Sequence, residues 1–231
     1  MFWYGAHDAT RQFQVMTPGK RGFIPALTYD VLTPLYDVAI RLTLPELRFK
    51  RRLIAAAGIA AGQRALDVGC GTGTLLLLAA QSHPSADFVG IDPDPNILRR
   101  ARKKLGGLAN VAFNEGSATA LPYPAGSFDR VLSSLVFHHL TREEKMIALR
   151  QILRVLRPRG ELHLADFGAP HTRTMRVLSV FVERIGREHV TENFRGMLPA
   201  MLSEAGFQEV GETAHFATIF GTIQLLKGTK T

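Results

Sequence analysis

The spacing of hydrophobic positions changes near residue 64, and this change divides the chain. Before it, apolar residues recur at three- and four-residue intervals, which predicts a helix. The residues of this face are Tyr29, Leu32, Leu35, Tyr36 and Ala39. Pro34 and Pro45 limit its length, and a second, basic-flanked helix follows over 47–57. We therefore predict an N-terminal lead-in and helical cap over 1–61, and a separate domain over 62–231.

From residue 64 onwards, short apolar runs alternate with helical patterns. Strands are predicted at 65–68, 87–91, 111–113, 128–133 and 161–166, and two further runs at 207–215 and 218–227 predict a closing antiparallel pair. Such alternation predicts an α/β fold with a mostly parallel seven-stranded sheet, helices on both faces and an antiparallel closing strand. Ligands of such sheets bind at the carboxyl ends of the strands.

The helix after the fourth predicted strand has clear end signals. Thr141 and Glu144 have the spacing of a capping box, and Pro158 and Gly160 are predicted to end the helix. A later helix is predicted to end at Gly206. Between them lies a helical pattern whose apolar face comprises Met175, Leu178, Phe181, Val182 and Ile185. Of these, Met175, Leu178 and Phe181 belong either to the core or to an apolar acceptor pocket.

The strongest chemical signal is the glycine-rich segment 66–73, which joins the first strand to a helix. Glycine lets the backbone turn sharply and lets a ligand approach the main chain closely. The dinucleotide fingerprint is incomplete, because Thr74 stands where its third glycine is required. A ligand-free tight turn would not explain Asp67 inside an apolar strand. Nor would it explain Asp92, 25 positions later, where an acid suits ribose hydroxyls.

The composition is that of a globular protein, with 46% hydrophobic and 21% charged residues among 231. No apolar run approaches the ~20 residues that cross a bilayer, and the N-terminus lacks the pattern of a secretory signal. Cys70 is the single cysteine, which excludes an intrachain disulfide and argues against a cysteine-based metal site. We expect a cytoplasmic protein without a bound metal.

The chain carries 28 basic and 20 acidic side chains, a net charge of +8. This charge favours an anionic partner. Arg150, Arg154 and Arg157 form a predicted helical stripe, and residues 50–52 form a second basic cluster. Weak, salt-sensitive contact with an anionic membrane is one prediction from these residues, and a solvated basic surface is the competing explanation. The sequence indicates no oligomeric state.

Taken together, the segment 66–73, Asp92 and the run Gly116-Ser117-Ala118 resemble the class I S-adenosylmethionine-dependent methyltransferases. The segments 120–129 and 132–140 are similar to the branch of ubiquinone/menaquinone-biosynthesis methyltransferases and bacterial phospholipid N-methyltransferases. The resemblance covers about residues 28–227. It implies a Rossmann-like, doubly wound fold, with S-adenosylmethionine as cofactor and S-adenosylhomocysteine as product.

The resemblance also implies which residues hold the cofactor. The backbone at 69–73 would pack on the methionine part, whose amino group Asp67 would meet, while Asp92 would bind the ribose hydroxyls. Ser133 and Ser134 would lie below the methionine chain. The complete implied set is Asp67, Gly69, Cys70, Gly71, Gly73, Asp92, Pro93, Ser117, Ala118, Ser133 and Ser134. Cys70 is predicted to be a small packed residue of the loop and not a nucleophile.

The adenine end of the implied site departs from the family pattern. Pro93 would line the adenine slot, with Ser117 and Ala118 flanking the ring. Ser117 stands where the family often has an aspartate that accepts from the adenine amino group. Glu115 compensates for this difference only if its side chain faces the pocket.

Candidate catalytic and acceptor-site residues surround this edge of the sheet. His138 and His139 follow the fourth strand, and either is a candidate general base; the alternative is that one packs beneath the loop and the other caps the next turn. Tyr29 and Tyr36, seven positions apart, are assigned to a lid or to core packing. Phe167 and His171 follow the fifth predicted strand, where a wall of the acceptor site is expected.

Three functions follow from these features. The first is methylation of a small-molecule or lipid-like acceptor, such as a quinone precursor or a phospholipid. The second is RNA methylation, which the charge favours but the motifs do not, since no Asn/Asp-Pro-Pro-aromatic motif follows the fourth strand. The third is a catalytically silent, S-adenosylmethionine-binding regulatory module. We rank them in this order, with nucleic acid the less favoured partner.

Overall fold

The structure is a computed structural model that describes residues 46–171, 193, 195–218 and 221–231. The N-terminal lead-in and the helix predicted around Met175 lie outside the described residues. The helices are α1 (Glu46–Ala57), α2 (Thr74–Ser82), α3 (Pro95–Leu105), α4 (Arg142–Val155) and α5 (Leu198–Ala205), with a short 3-10 turn at Phe137–His139. The strands are β1 (Arg64–Val68), β2 (Asp87–Asp92), β3 (Val111–Glu115), β4 (Phe128–Ser134), β5 (Leu156–Gly168), β6 (Gln208–Thr218) and β7 (Gly221–Thr229).

The seven strands form one sheet in the order β3-β2-β1-β4-β5-β7-β6. The pairs β1–β2, β2–β3, β1–β4 and β4–β5 are parallel, while β7 runs antiparallel to both β5 and β6. The predicted mostly parallel sheet with an antiparallel closing strand is therefore confirmed. Strands β2 and β3 follow β1 in one direction along the sheet, and β4 and β5 follow it in the other, so the strand order reverses between β1 and β4. Such a reversal opens a crevice at the carboxyl ends of the strands.

Helices cover both faces of the sheet, which explains the continuous apolar runs of the central strands. One buried cluster joins α4 and α5 to the sheet, and a second joins α1, α2 and α3 to the opposite face. Ala65, Leu66 and Val68 are fully buried in β1. Asp67 is buried with them, so the one carboxyl group of this strand lies inside the protein.

Helix α1 is part of the sheet domain. Phe49 and Leu53 are fully buried, and the Phe49 ring lies 6.3 Å from that of Phe216 on β6. The described portion of the predicted cap therefore packs on the sheet, because one face of α1 is apolar. For residues 1–45, a cap role stays a prediction.

The boundary between α4 and β5 differs from the predicted one. The capping box is confirmed, since Thr141 Oγ1 accepts from the Glu144 amide at 3.2 Å and Glu144 Oε2 accepts from the Thr141 amide at 2.9 Å. The predicted end at Pro158 and Gly160 is wrong: α4 ends at Val155 and β5 starts at the next residue. Pairing with β4 and β7 extends β5 to Gly168, and this places Asp166 inside a buried strand.

Candidate active site

The glycine-rich segment forms a tight turn between β1 and α2. Gly69, Gly71 and Gly73 have φ values of 71°, 54° and 74°, a region that side chains disfavour. The amides of Gly69 and Cys70 both donate to the Ile91 carbonyl, at 2.8 and 3.0 Å. A Cβ on Gly71 would meet nothing within 4 Å. The turn is thus anchored to β2, while its middle borders open space that a ligand can fill.

Asp67 lies beside this turn and is the least satisfied carboxyl group of the site. It is 1% exposed, and neither of its oxygens has a hydrogen-bond partner in the described structure. Burial raises the pKa of Asp67 to about 7. The positive charge of Lys50 acts in the opposite direction, and the negative charge of Asp92 raises the pKa further. A buried, unpartnered carboxylate is unstable. This position therefore favours a cationic or hydrogen-bond-donating ligand.

Asp92 ends β2 directly opposite the turn. Its carboxylate accepts from the Gly71 amide at 2.9 Å and from the Asp94 amide at 3.0 Å. A carboxylate offers about four acceptor positions, so two stay available for ligand hydroxyls. Pro93 follows and is exposed at the sheet edge. Asp92 therefore supports the turn and can also hold a ribose, as the sequence predicts.

We expect Asp92→Ala to weaken S-adenosylhomocysteine binding by roughly 1.5–3 kcal/mol, because two ribose hydroxyls lose a charged acceptor. Titration calorimetry measures this change. Asp87→Ala is the matched control, since Asp87 is exposed at the other end of the same strand and should leave the affinity unchanged. An Asp92→Ala variant that is folded and binds like the parent would remove Asp92 from the site.

The loop after β3 approaches the same edge. The Gly116 amide donates to the Asp92 carbonyl at 3.1 Å. The Ser117 hydroxyl lies 2.8 Å from that of Thr119 and accepts from the Thr119 amide at 3.2 Å, so it closes a local turn. Ala118 packs against the core, and Glu115 is exposed. The adenine contacts assigned to Pro93, Ser117 and Ala118 stay predictions.

Two serines end β4, and their hydroxyl groups differ. Ser133 is fully buried, and its hydroxyl donates to the Val68 carbonyl at 3.0 Å, which ties β4 to β1. The Ser134 hydroxyl is buried without a hydrogen-bond partner among the described residues. Leu135 follows with φ of 60°, an unfavourable value for a branched side chain. The turn after β4 is therefore strained, as turns at functional sites often are.

A buried carboxylate holds this strained turn in place. Asp166 is fully buried in β5. Among the described residues, its hydrogen-bond partners are the amides of Val136 and Phe137 at 3.0 and 2.7 Å, the amide of Phe167 at 2.8 Å, Asn193 Nδ2 at 3.1 Å and His138 Nδ1 at 2.9 Å. Burial alone would raise the pKa of Asp166, but His138 and the amide donors hold it below its usual value. The group is therefore ionised.

The two candidate histidines have different surroundings. The His138 side chain is 14% exposed and meets the Phe167 ring edge to face at 5.0 Å. The His139 ring lies 3.9 Å from that of His138 and is tilted by 43° against it. Desolvation by the surrounding protein and the neighbouring His138 lower the pKa of His139 to about 4. Asp166 thus distinguishes the two rings, since it accepts a hydrogen bond from His138.

The comparisons with known proteins agree with this geometry. A family model described as "Methyltransferase domain" matches residues 65–160. The demethylmenaquinone methyltransferase of Thermus thermophilus is 37% identical over 145 residues, which cover 62% of this chain and 65% of that protein. The ubiquinone/menaquinone biosynthesis C-methyltransferase UbiE of Photorhabdus laumondii is 30% identical over 211 residues, which cover 81% of each chain. The chain belongs to the class I S-adenosylmethionine-dependent methyltransferases of the ubiquinone/menaquinone branch.

Solved structures show the same fold for this methyltransferase. The YcgJ protein of Bacillus subtilis superposes with a TM-score of 0.65 at 21% identity, over 78% of this chain and 97% of that one. The methyltransferase SibL gives 0.64 at 23% identity, over 90% and 60%. The [4+2]-cyclase SpnF gives 0.62 at 20% identity, over 79% and 80%. One fold therefore carries more than one chemistry, and the residues of the site decide which reaction it supports.

S-adenosylmethionine, the methyl donor of this family, fits the residues present. Its amino group suits the unpartnered Asp67, its ribose hydroxyls suit Asp92, and the open side of Gly71 leaves room for its chain. The buried thiol of Cys70 has a pKa raised by burial and by the charges of Asp67 and Asp92, so the thiol is protonated and packed. In the residues that the structure describes, no cluster of three or more His, Cys, Asp and Glu suits a metal ion.

The acceptor-site roles of His171, Tyr29 and Tyr36 stay predictions. His171 is exposed beyond β5, with Nδ1 2.8 Å from Thr222 Oγ1 and its ring 4.4 Å from that of His215. Tyr29 and Tyr36 lie outside the described residues. Sequence reasoning missed Asp166, although an acid in an apolar strand is the same signal that identified Asp67. Asn193 carried no signal in the sequence.

The predicted basic stripe offers fewer free cations than expected. Arg154 donates to the carbonyls of Tyr123 at 2.6 Å and Leu121 at 2.8 Å, and Arg157 pairs with Asp129 at 2.7 Å. These contacts stabilise the loop before β4. No helix in the described part of the methyltransferase is long and apolar enough to span a bilayer. Contact with an anionic membrane surface stays a prediction.

Proposed function

We propose that this protein transfers the methyl group of S-adenosylmethionine to a ring carbon of a quinone-type acceptor in its hydroxyl-bearing, reduced form. Two relatives are named for demethylmenaquinone and for ubiquinone/menaquinone C-methylation, which supports this class of acceptor. The observation that carries the proposal is the unpartnered, buried Asp67 beside an open glycine turn. This arrangement stabilises a ligand with a positive charge, as the methyl donor has.

The chemistry explains why the reduced form is required. The donor supplies an electrophilic methyl group, so the acceptor carbon must be a nucleophile, and a quinone carbon is electrophilic. An ionised ring hydroxyl supplies electron density to the adjacent carbon. Asp67, Asp92 and the turn at 69–73 hold the donor, and the side chains around β4 and β5 orient the acceptor and exclude water. His138, at this edge, is the candidate acceptor of the hydroxyl proton.

A labelling experiment tests the acceptor class. The full chain is incubated with radiolabelled S-adenosylmethionine and a cell extract kept under reducing conditions, and the products are separated into organic, RNA and protein fractions. Label in an organic quinone fraction supports the proposal. Label in phospholipid or in RNA overturns it in favour of those acceptors. Binding without any transfer indicates a regulatory module and also overturns it.

We also propose that residues 1–45 form a lid over the acceptor and contribute to turnover. Helix α1 starts at Glu46 and packs on the sheet, so a chain that starts at residue 46 keeps the described core. We expect this truncation to reduce methyl transfer at least ~10-fold, as loss of an ordered acceptor would, with S-adenosylhomocysteine affinity nearly unchanged. Thermal melting and calorimetry check folding and binding. A folded truncation with full turnover would eliminate the lid role.

A further inference from the structure

Resting on the proposed function, we propose that Asp166 is a positioning residue that fixes His138 in the tautomer whose Nε2 accepts the hydroxyl proton of the methyl acceptor, and that His139 is not the base. Asp166 belongs to no part of the cofactor-binding turn. It lies on β5, two strands from β1 in the sheet. Its contacts instead converge on the turn after β4, where both histidines lie.

The hydrogen bonds leave one arrangement for the His138 ring. Asp166 Oδ2 accepts from the amides of Val136 and Phe137, and Oδ1 accepts from the Phe167 amide and from Asn193 Nδ2. An ionised carboxylate has no proton to give. His138 Nδ1, 2.9 Å from Oδ1, is therefore the donor of that bond. The lone pair of neutral His138 is then on Nε2.

The ring is held in orientation as well as in tautomer. Phe167, next to Asp166 on β5, meets the His138 ring edge to face at an interplanar angle of 81°. The His139 ring covers another side at 3.9 Å. The side chain of His138 keeps 14% of its surface exposed, and its Nε2 makes no hydrogen bond within the described structure. The nitrogen that carries the lone pair is thus free to meet a ligand.

His139 lacks these features. It has no ion pair with a carboxylate among the described residues, and the surrounding protein desolvates its ring. With a pKa lowered to about 4, it stays neutral and binds a proton only weakly at neutral pH. In the described structure, His138 acts electrostatically on Asp166 from β5 and on His139 from its own turn. Of the two rings, His138 is the one hydrogen-bonded to a buried carboxylate.

The proposed step balances as follows. The hydroxyl proton of the acceptor moves to His138 Nε2, while the Nδ1 proton stays hydrogen-bonded to Asp166. The oxygen electron pair moves into the ring, and the adjacent carbon forms the bond to the methyl group. The electron pair of the breaking carbon–sulfur bond stays on sulfur. The methylated carbon then loses its hydrogen as a proton to water, and His138 returns its proton to the oxygen.

Asp166→Asn tests the tautomer assignment. Its amide oxygen can accept from the Val136 and Phe137 amides. Its NH₂ group would replace Oδ1, which accepts from His138 Nδ1, the Phe167 amide and Asn193 Nδ2, and would favour the opposite His138 tautomer. We expect kcat at neutral pH to fall roughly 10²- to 10⁴-fold, the usual contribution of a general base, with cofactor affinity changed less than about twofold. The deficit should shrink near pH ~10, where a phenolic hydroxyl ionises without a base.

The histidine NMR spectrum supplies a readout that needs no turnover. Nitrogen-15 shifts should show the proton on Nδ1 of His138 in the parent and on Nε2 in Asp166→Asn. Asp87→Asn, at an exposed position at the far end of β2, is the control and should leave kcat unchanged. His139→Gln should lower kcat less than His138→Gln does, because Asp166 is hydrogen-bonded to His138 and not to His139 in the described structure. His138→Gln and the double variant with Asp166→Asn should be equally impaired, because residues that act as a unit are not additive.

Three results would overturn the inference. The first is a parent protein with the proton on Nε2 of His138. The second is a folded Asp166→Asn variant with parental kcat. The third is a deficit that is equal at all pH values with the His138 tautomer unchanged, which would assign Asp166 to structure alone. A parent that shows the expected tautomer but methylates no quinone-type acceptor would instead overturn the proposed function, so the two failures are distinguishable.

Discussion

Gly69→Ala is expected to weaken S-adenosylhomocysteine binding about 100-fold. A Cβ at this position would lie 2.3 Å from Val136 Cγ2, and the φ of 71° adds strain for any side chain. The left-handed conformation costs roughly 1–2 kcal/mol, and the overpacked contact costs about 1–3 kcal/mol. The variant relieves this strain only if the turn moves away from its ligand-binding geometry. Ligand binding then has to restore the strained geometry, and this cost weakens the affinity. Calorimetry with the folded variant measures the loss.

Two variants separate the clash from the backbone strain. Gly62→Ala has a similar φ of 75° but nothing within 4 Å of the new Cβ, and it lies before β1. It should lose about 1 kcal/mol of stability and keep its affinity. Adding Val136→Ala to Gly69→Ala should restore roughly tenfold of the lost affinity, since it removes the Cγ atoms at 2.3 and 3.0 Å and leaves only the Val136 Cβ at 3.3 Å. Parental affinity in Gly69→Ala would show that the turn does not shape the ligand site.

Asp67→Asn is expected to make the ligand-free protein more stable above pH 7 and to weaken its ligand binding. The folded protein raises the pKa of Asp67 from its ordinary value to about 7 by burial. The stability that the neutral carboxyl contributes is present at pH 4 and is lost as the pH rises through 7. Each pKa unit corresponds to about 1.4 kcal/mol. The free energy of unfolding of the variant, measured with denaturant, should therefore exceed that of the parent by a few kcal/mol at pH 8 and by little at pH 4.

The raised pKa of Asp67 also predicts that the ligand affinity depends on pH. A cationic ligand stabilises ionised Asp67, so its binding should strengthen as the pH rises towards 7 and should release a proton to the buffer. Calorimetry in buffers of different ionisation enthalpy detects that proton. Asp67→Asn should abolish this release, while Asp87→Asn, at an exposed position, should retain it. Proton release that persists in Asp67→Asn would assign the effect to another group.

The parts of the fold that depend on local sequence could be predicted. Alternating apolar runs and helical patterns give the order of strands and helices, because burial on both faces of a sheet requires them. The capping box at Thr141 and Glu144 depends on four consecutive residues, and the structure has both of its hydrogen bonds. The glycine turn was likewise identified from adjacent positions whose φ values are positive.

The rest depends on contacts between distant segments. Asp166 acquires its role from a turn 28–30 positions earlier and from Asn193, 27 positions later. The end of α4 was misplaced because pairing between Leu156 and Phe128 starts the strand before Pro158. A side chain is excluded at Gly69 because it would clash with Val136, which lies on another loop. None of these pairings has a local pattern in the sequence.

Methylation of a defined acceptor tests whether the protein transfers a methyl group to a hydroquinone carbon. The full chain is incubated anaerobically with trideuteromethyl-labelled S-adenosylmethionine and a demethylated hydroquinone that carries tritium on the ring carbon beside a hydroxyl. We expect one trideuteromethyl group on that carbon for each tritium released to water, and a strongly reduced rate in Gly69→Ala. Transfer to oxygen with tritium retained, or binding of the donor without any transfer, would contradict it.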